Sequence, residues 1–183
     1  ELGTTFNENT PNPVYTFGPV EDHLGIPEVR SATRVGRYKF SAITPSGNIQ
    51  GAFLGIDRLT FPSAAYWQRD FASEQLGVLM NQLAANPSGI LVPASLLEEK
   101  DLELGDGLTI AVTTGVAGQS IPFDAQIVGT FDQCPTWYPE SGIMFVGNLE
   151  ELYLRAGADY PHEVWLGTTN RADPETIAYT VRG

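Results

Sequence analysis

The chain has 183 residues, 42% hydrophobic and 17% charged, with a formal net charge of −12 from 10 Lys and Arg against 22 Asp and Glu. That balance suits a globular domain able to build a core without staples, and its acidic surface argues against nucleic acid and anionic lipid headgroups as partners. The single cysteine, Cys134, rules out an intrachain disulfide and a zinc site built from cysteines, and no apolar run approaches the roughly 18 residues of a membrane helix.

Residues 1–20 mix Asn, Thr, Pro and Gly with isolated aromatics. They read as an irregular lead-in with one strand near Val14 to Phe17. Glu21 to Gly25 reads as the tail of a helix stopped by Gly25. Val29 to Phe40 holds one long or two short strands, with an interruption near Gly36. Pro45-Ser46-Gly47-Asn48 has the residues of a reversal, and Ile49 to Ile56 returns as a strand. An aromatic stretch follows (Phe61, Tyr66, Trp67, Phe71), expected to pack short helical turns over a sheet. Leu76, Leu79, Met80 and Leu83 then share one helical face, with Ser73 as the expected N-cap and Asn86 to Gly89 as the stop.

The most regular stretch runs from Gly89 to Asp132. A buried strand (Ile90, Leu91, Val92) leads into a short helix after Pro93. A turn at Gly105-Asp106-Gly107 launches a strand with Leu108, Ile110 and Val112 on one side. After a polar, Gly-rich loop, a longer strand returns with Ile121, Phe123, Ala125, Ile127 and Phe131 on one face. Pro122, Asp124, Gln126, Thr130 and Asp132 fall on the other. Period-two alternation of this length predicts a half-buried antiparallel hairpin.

Cys134 to Pro139 then forms a stiff loop with two prolines and two aromatics. Ile143 to Val146 is a short strand. Asn148 is expected to cap a helix, with Glu151 bonding back to the cap and Leu149, Leu152, Tyr153 and Ala156 as the buried face up to Gly157. Glu163 to Leu166 is a strand, and Asp173-Pro174 starts a helix. The order predicts an α+β fold of two lobes. The chain begins without a signal-peptide pattern and ends in the first turns of that helix, so a soluble piece of something longer is expected.

Candidate chemistry is thin. His162-Glu163 lacks the second histidine of a zinc-protease helix, and His23 is far away in sequence, so a strand-edge pair without chemistry is expected. A hydrolase using His162 with a distant carboxylate is the sharper alternative. Asp106 between glycines is what a turn needs. Cys134 has no flanking base to lower its pKa. No serine lies in GxSxG, and no phosphate loop GxxxxGK[ST] occurs. Trp67, Trp137, Tyr138 and Trp165 either form a binding surface or fill gaps between sheet and helices. The loop Trp137, Tyr138, Pro139 is the part expected to be exposed and to touch a partner.

Several stretches resemble one family in their order and spacing over about residues 20 to 183: IPEVRSATRVGRYKF, FLGIDRLTF, WQRDFASEQLGVLMNQLA, GILVPASLLEEKDLELGDGLTI, IVGTFDQCPTWYP, FVGNLEELYLRAG and PHEVWLGTT. The chain is similar to the extracytoplasmic domain of bacterial ABC transporter permeases of the FtsX and MacB kind. The resemblance implies a domain outside the cell membrane between two transmembrane segments of a dimeric permease. It implies a βαβ-type membrane-proximal lobe from residues 1–60 and 140–183, with a mainly β lobe, 61–139, inserted in it. It implies no catalytic residues, no cofactor and no metal. ATP hydrolysis would belong to a cytoplasmic ATPase subunit or domain, and the outer partner would be a protein or lipid-linked cargo. The long helical hairpin of the multidrug exporters is missing, which argues against an outer-membrane tunnel as partner. The alternative class is a secreted or surface module that binds carbohydrate or peptide.

Overall fold

The computed structural model describes residues 17–114 and 119–182. All but the last residue of the strand expected at Val14 to Phe17 lies outside these, as does most of the polar loop after Val112. A 3-10 turn, Val20–Gly25, stands where the first helix tail was expected. The strands are β1 (Val29–Thr44), β2 (Gly47–Ile56), β3 (Gly89–Pro93), β4 (Gly107–Thr113), β5 (Ser120–Phe131), β6 (Ile143–Asn148) and β7 (Glu163–Thr168). The helices are α1 (Phe61–Ala64), α2 (Leu76–Ala85), α3 (Ala94–Lys100), α4 (Leu149–Ala156) and α5 (Pro174–Arg182). Helices beside a mixed sheet make this an α+β fold.

All seven strands join one sheet in the order β2-β6-β3-β5-β4-β1-β7, and β2 also pairs with β1. Six strands therefore close into a ring, a small barrel without internal edges. β7 hangs outside it, beside the first half of β1. The sheet crosses the sequence positions 60 and 140: β4 pairs with β1, and β3 pairs with β6.

Closure separates two cores. Inside the ring lie Phe40, Phe53, Ile110, Phe123, Ile127 and Phe145 among others, with the rings of Phe40 and Phe145 stacked at 4.1 Å. Outside it, α1, α2 and the neighbouring loops cover Val35, Leu54, Ile56, Leu91, Met144 and Val146. Each buried leucine, isoleucine or phenylalanine contributes about 1.5–3 kcal/mol. By sequence alone Val29 to Phe40 is one strand or two. It is one, running straight through Gly36, where a Cβ would lie 2.7 Å from Leu149 and collide with the Tyr38 ring. The reversal at Pro45-Ser46 is tight, joining Thr44 to its partner Gly47 at φ 119°.

Three local expectations need correction. Phe131 does not share a face with Ile127. β3 pairs Ile90 with Ile127 but Leu91 with Gly129, so Val128 is an extra residue. Such a bulge flips every later side chain to the opposite face. Ile127 thus points into the ring while Phe131 joins the outer core. Ser73 does not cap α2, whose N-cap is Gln75 without a side-chain bond. Asn148 occupies the N-cap of α4 but makes no capping bond. Its amide instead donates to the carbonyls of Leu83 at 3.0 Å and Pro87 at 2.7 Å, tying α4 to the end of α2. Glu151, freed from a capping role, accepts from Arg155 at 2.7 Å.

The ring leaves no space at Gly51, where a Cβ would sit 2.0 Å from the backbone oxygen of Ile143 across the β2–β6 pair. Gly51→Ala is expected to lower unfolding free energy by about 3 kcal/mol. Urea denaturation of the purified variant measures it, and wild-type stability would contradict the closed pairing.

Candidate partner-contact loop

The segment between β5 and β6 is held at both ends. Phe71 O accepts from the amides of Asp132 at 2.7 Å and Gln133 at 3.0 Å. The Cys134 carbonyl accepts from the Trp137 amide at 3.0 Å. Arg37 reaches from β1 and donates to Thr136 Oγ1 at 2.6 Å, fixing a residue whose φ is 65°. Prolines cut the conformational freedom of such a loop in the unfolded chain, which favours one ordered shape.

This anchoring splits the three expected contact residues. Trp137 turns inward. Its ring meets Phe131 edge-on at 5.4 Å, and its indole N–H donates to Gly142 O at 2.8 Å. Tyr138 is 62% exposed and Pro139 is exposed beside it. A cleft of about 270 Å³ opens between this loop and α3, with Ser95, Glu99, Asp132 and Pro139 on its walls. Its walls carry one indole, Trp137, and two carboxylates, Glu99 and Asp132. Trp67 and Trp165 also pack against the outer core, Trp67 against Phe71 and Trp165 against Phe61. All three indoles are half-buried against that core.

The chemical candidates resolve into structure. Asp106 accepts the Glu103 amide at 2.8 Å through its carboxylate and the Ile127 amide at 2.9 Å through its carbonyl, so it is a turn residue. Glu163 pairs with Arg37 at 3.4 Å and accepts from the Trp165 indole at 2.8 Å. His162 Nδ1 lies 3.2 Å from Tyr153 OH and 3.1 Å from Tyr160 O. Tyr153 OH also contacts Tyr38 OH at 3.0 Å, and Tyr38 donates to Pro161 O at 3.0 Å. These bonds lash the β7 approach to the mouth of the ring. Among the described residues no cluster of His, Cys, Asp or Glu could hold a metal ion.

Cys134 is buried, and burial pushes its thiol up to about 12 although the Arg37 charge pulls the other way. The sequence shows no base near Cys134. The fold supplies Arg37, and desolvation still wins, so the thiol is not a nucleophile at neutral pH. Burial likewise raises the phenols of Tyr38 and Tyr153 above their ordinary range.

One grouping escaped the sequence. Arg34 lies 3.4 Å from both Asp57 and Glu150, between hollows of about 350 and 460 Å³. No sequence signal marks it, because its partners come from β1, the end of β2 and α4.

The fold is similar to those of two solved extracytoplasmic domains. The extracellular domain of the noncanonic ABC-type transporter YknZ from Gram-positive bacteria superposes with a TM-score of 0.52 at 13% identity, covering 88% of this chain and 75% of that one. The periplasmic region of MacB from Actinobacillus actinomycetemcomitans gives a TM-score of 0.54 at 6% identity, covering 88% of this chain and 68% of that one. No family model and no curated protein matches the sequence. The resemblance read from the sequence is thus met at the level of fold.

Groups whose folded pKa is raised hold their protons when the unfolded chain has lost them, so their stabilisation is full below the unfolded pKa and disappears as pH rises. For Cys134, from an ordinary 9.0 to about 12, and for the two tyrosines, ordinarily 10.0, stability is expected to hold to about pH 9 and fall above it. Thermal melts between pH 7 and 11 check this. Tyr153→Phe is expected to lose about 1–3 kcal/mol at pH 7, and a shallower alkaline decline is expected alongside. Trp137→Ala should destabilise through lost packing and the lost bond to Gly142, whereas Tyr138→Ala should leave the melting temperature unchanged.

Proposed function

We propose that this domain is the non-catalytic extracytoplasmic part of an ABC transporter permease. In that reading it couples ATP-driven motion of membrane helices to a protein or lipid-linked cargo outside the cytoplasm. The single observation that supports it most is where the sheet starts and stops. Val29 pairs with Thr168, and the Thr169 amide donates to Glu28 O at 3.0 Å. The side chains of Glu28 and Thr169 are also hydrogen-bonded. A domain whose two connections leave side by side can sit between two adjacent membrane helices and move as one body with them.

The closed ring suits a mechanical part, because every barrel strand is bonded on both sides and force entering at β1 is spread over its neighbours. The described residues contain no helix long and apolar enough to cross a membrane, so the spans would come from flanking sequence. The ATPase would be cytoplasmic, and the permease would act as a dimer. Pro139, on the wall of the cleft beside α3, and the exposed Tyr138 next to it would meet the outer partner, with Trp137 holding them in place.

Membrane topology of the full-length parent tests the reading. Reporter fusions or cysteine labelling on either side of this segment should place it outside, with an apolar helix abutting each end. A domain released from the membrane or facing the cytosol would overturn it, and release would favour the secreted binding module instead. Within a confirmed permease, Tyr138→Ala is expected to reduce transport about tenfold without changing protein level, and unchanged transport would remove the loop from the contact surface.

A further inference from the structure

Closing the ring removes the edges of six strands and leaves β7 as the outermost strand of the sheet. Its outer side pairs with no strand among the described residues, while its inner side pairs with β1 from Val35 to Val29, with one register shift between Ser31 and Val29. Natural edges are blunted by lysine, proline or a bulge. The sequence of β7, Glu-Val-Trp-Leu-Gly-Thr, has none of the first two, and its single charge, Glu163, is drawn toward Arg37. The edge therefore offers backbone donors and acceptors with nothing to repel a strand.

Beside that edge lies an apolar groove of about 390 Å³ between β7 and α5, lined by Leu166, Thr168, Ala172, Ile177, Ala178 and Val181. Leu166 and Thr168 are two residues apart, so they share one face of β7. A strand added to the outer edge would place every second side chain on that same face, against α5. Val181, which lines the groove, is 48% exposed, so α5 has apolar surface left for such side chains.

We propose that β7 and α5 form a strand-addition site for an extended, basic segment of a partner protein, with apolar residues at every second position. The backbone edge dictates an extended occupant. The alternation follows from the groove lying on one face only. The basic character follows from charge: a chain at −12 attracts a cationic segment and repels a second copy of itself. This surface is separate from Tyr138, and the proposal holds whether or not the domain belongs to a permease.

The probe is a capped heptapeptide alternating lysine and valine, titrated into the isotopically labelled 183-residue chain and followed by amide shifts and hydrogen exchange. Two controls accompany it: the same peptide N-methylated at alternate residues, which keeps charge and side chains but cannot pair, and the Val181→Glu variant, which alters α5 without touching the sheet. Amides of β7 are expected to shift and to exchange about tenfold more slowly with peptide, and both controls are expected to bind about tenfold more weakly. Equal binding of the methylated peptide would reduce the effect to charge attraction and overturn the proposal, as would no binding at about 1 mM. Two results on the free chain would also overturn it. A concentration-dependent dimer that protects β7 would make a second copy the occupant. Outer β7 amides already slow in the monomer would mean that another part of this chain fills the edge.

Discussion

The structure depends on β1 bonding to neighbours on both sides. Its second half lies between β2 and β4, with Phe40 opposite Gly51 on one side and Val112 on the other. Those two ladders turn a row of strands into a ring. A ring has an inside, and the inside must be filled by side chains alone, so Phe40, Phe53, Phe123 and Phe145 converge there. The same closure forces glycine where strands come closest, as at Gly51 against the Ile143 carbonyl.

The first half of β1 does a different job. It leaves the ring and carries β7, so Glu28, before β1, and Thr169, after β7, lie beside each other. Long strands shared between two environments must change which face is buried, and β1 does so. Val35 belongs to the outer core, while Tyr38, Phe40 and Ala42 point inward. Tyr38 sits at the crossover and is bonded to Tyr153 and to Pro161 O. Buried hydroxyls there are satisfied by one another and by the loop before β7, which couples the ring to the outlying strand through directional bonds rather than through packing alone.

The bulge at Val128 has a similar effect in β5. The first part of the strand serves the ring, and the last part, with Gly129 and Phe131, serves the outer core under α2. Phe131 then provides the surface on which Trp137 rests. The loop after β5 thus owes its shape to one extra residue in the strand before it. The rigid indole, the Thr136 anchor to Arg37 and the paired amides on Phe71 O leave Tyr138 and Pro139 as the exposed part.

The sequence by itself determined the elements and their type. Alternation marked the β4–β5 hairpin, the spacing of Leu76, Leu79, Met80 and Leu83 marked α2, and Gly157 and Asp173-Pro174 marked helix ends, because these signals are local and act over a few residues. Order and spacing of short segments also pointed to the right fold. Which face Phe131 takes, where Asn148 spends its amide, the grouping of Arg34 with Asp57 and Glu150, and the burial of Cys134 beside Arg37 were decided by tertiary structure. Each depends on residues brought together across the chain, as Arg34 and Glu150 are at 3.4 Å. Ring closure is of the same kind: β2 and β4 look alike in period, and only their meeting on opposite sides of β1 makes a barrel and leaves β7 at the edge of the sheet among the described residues.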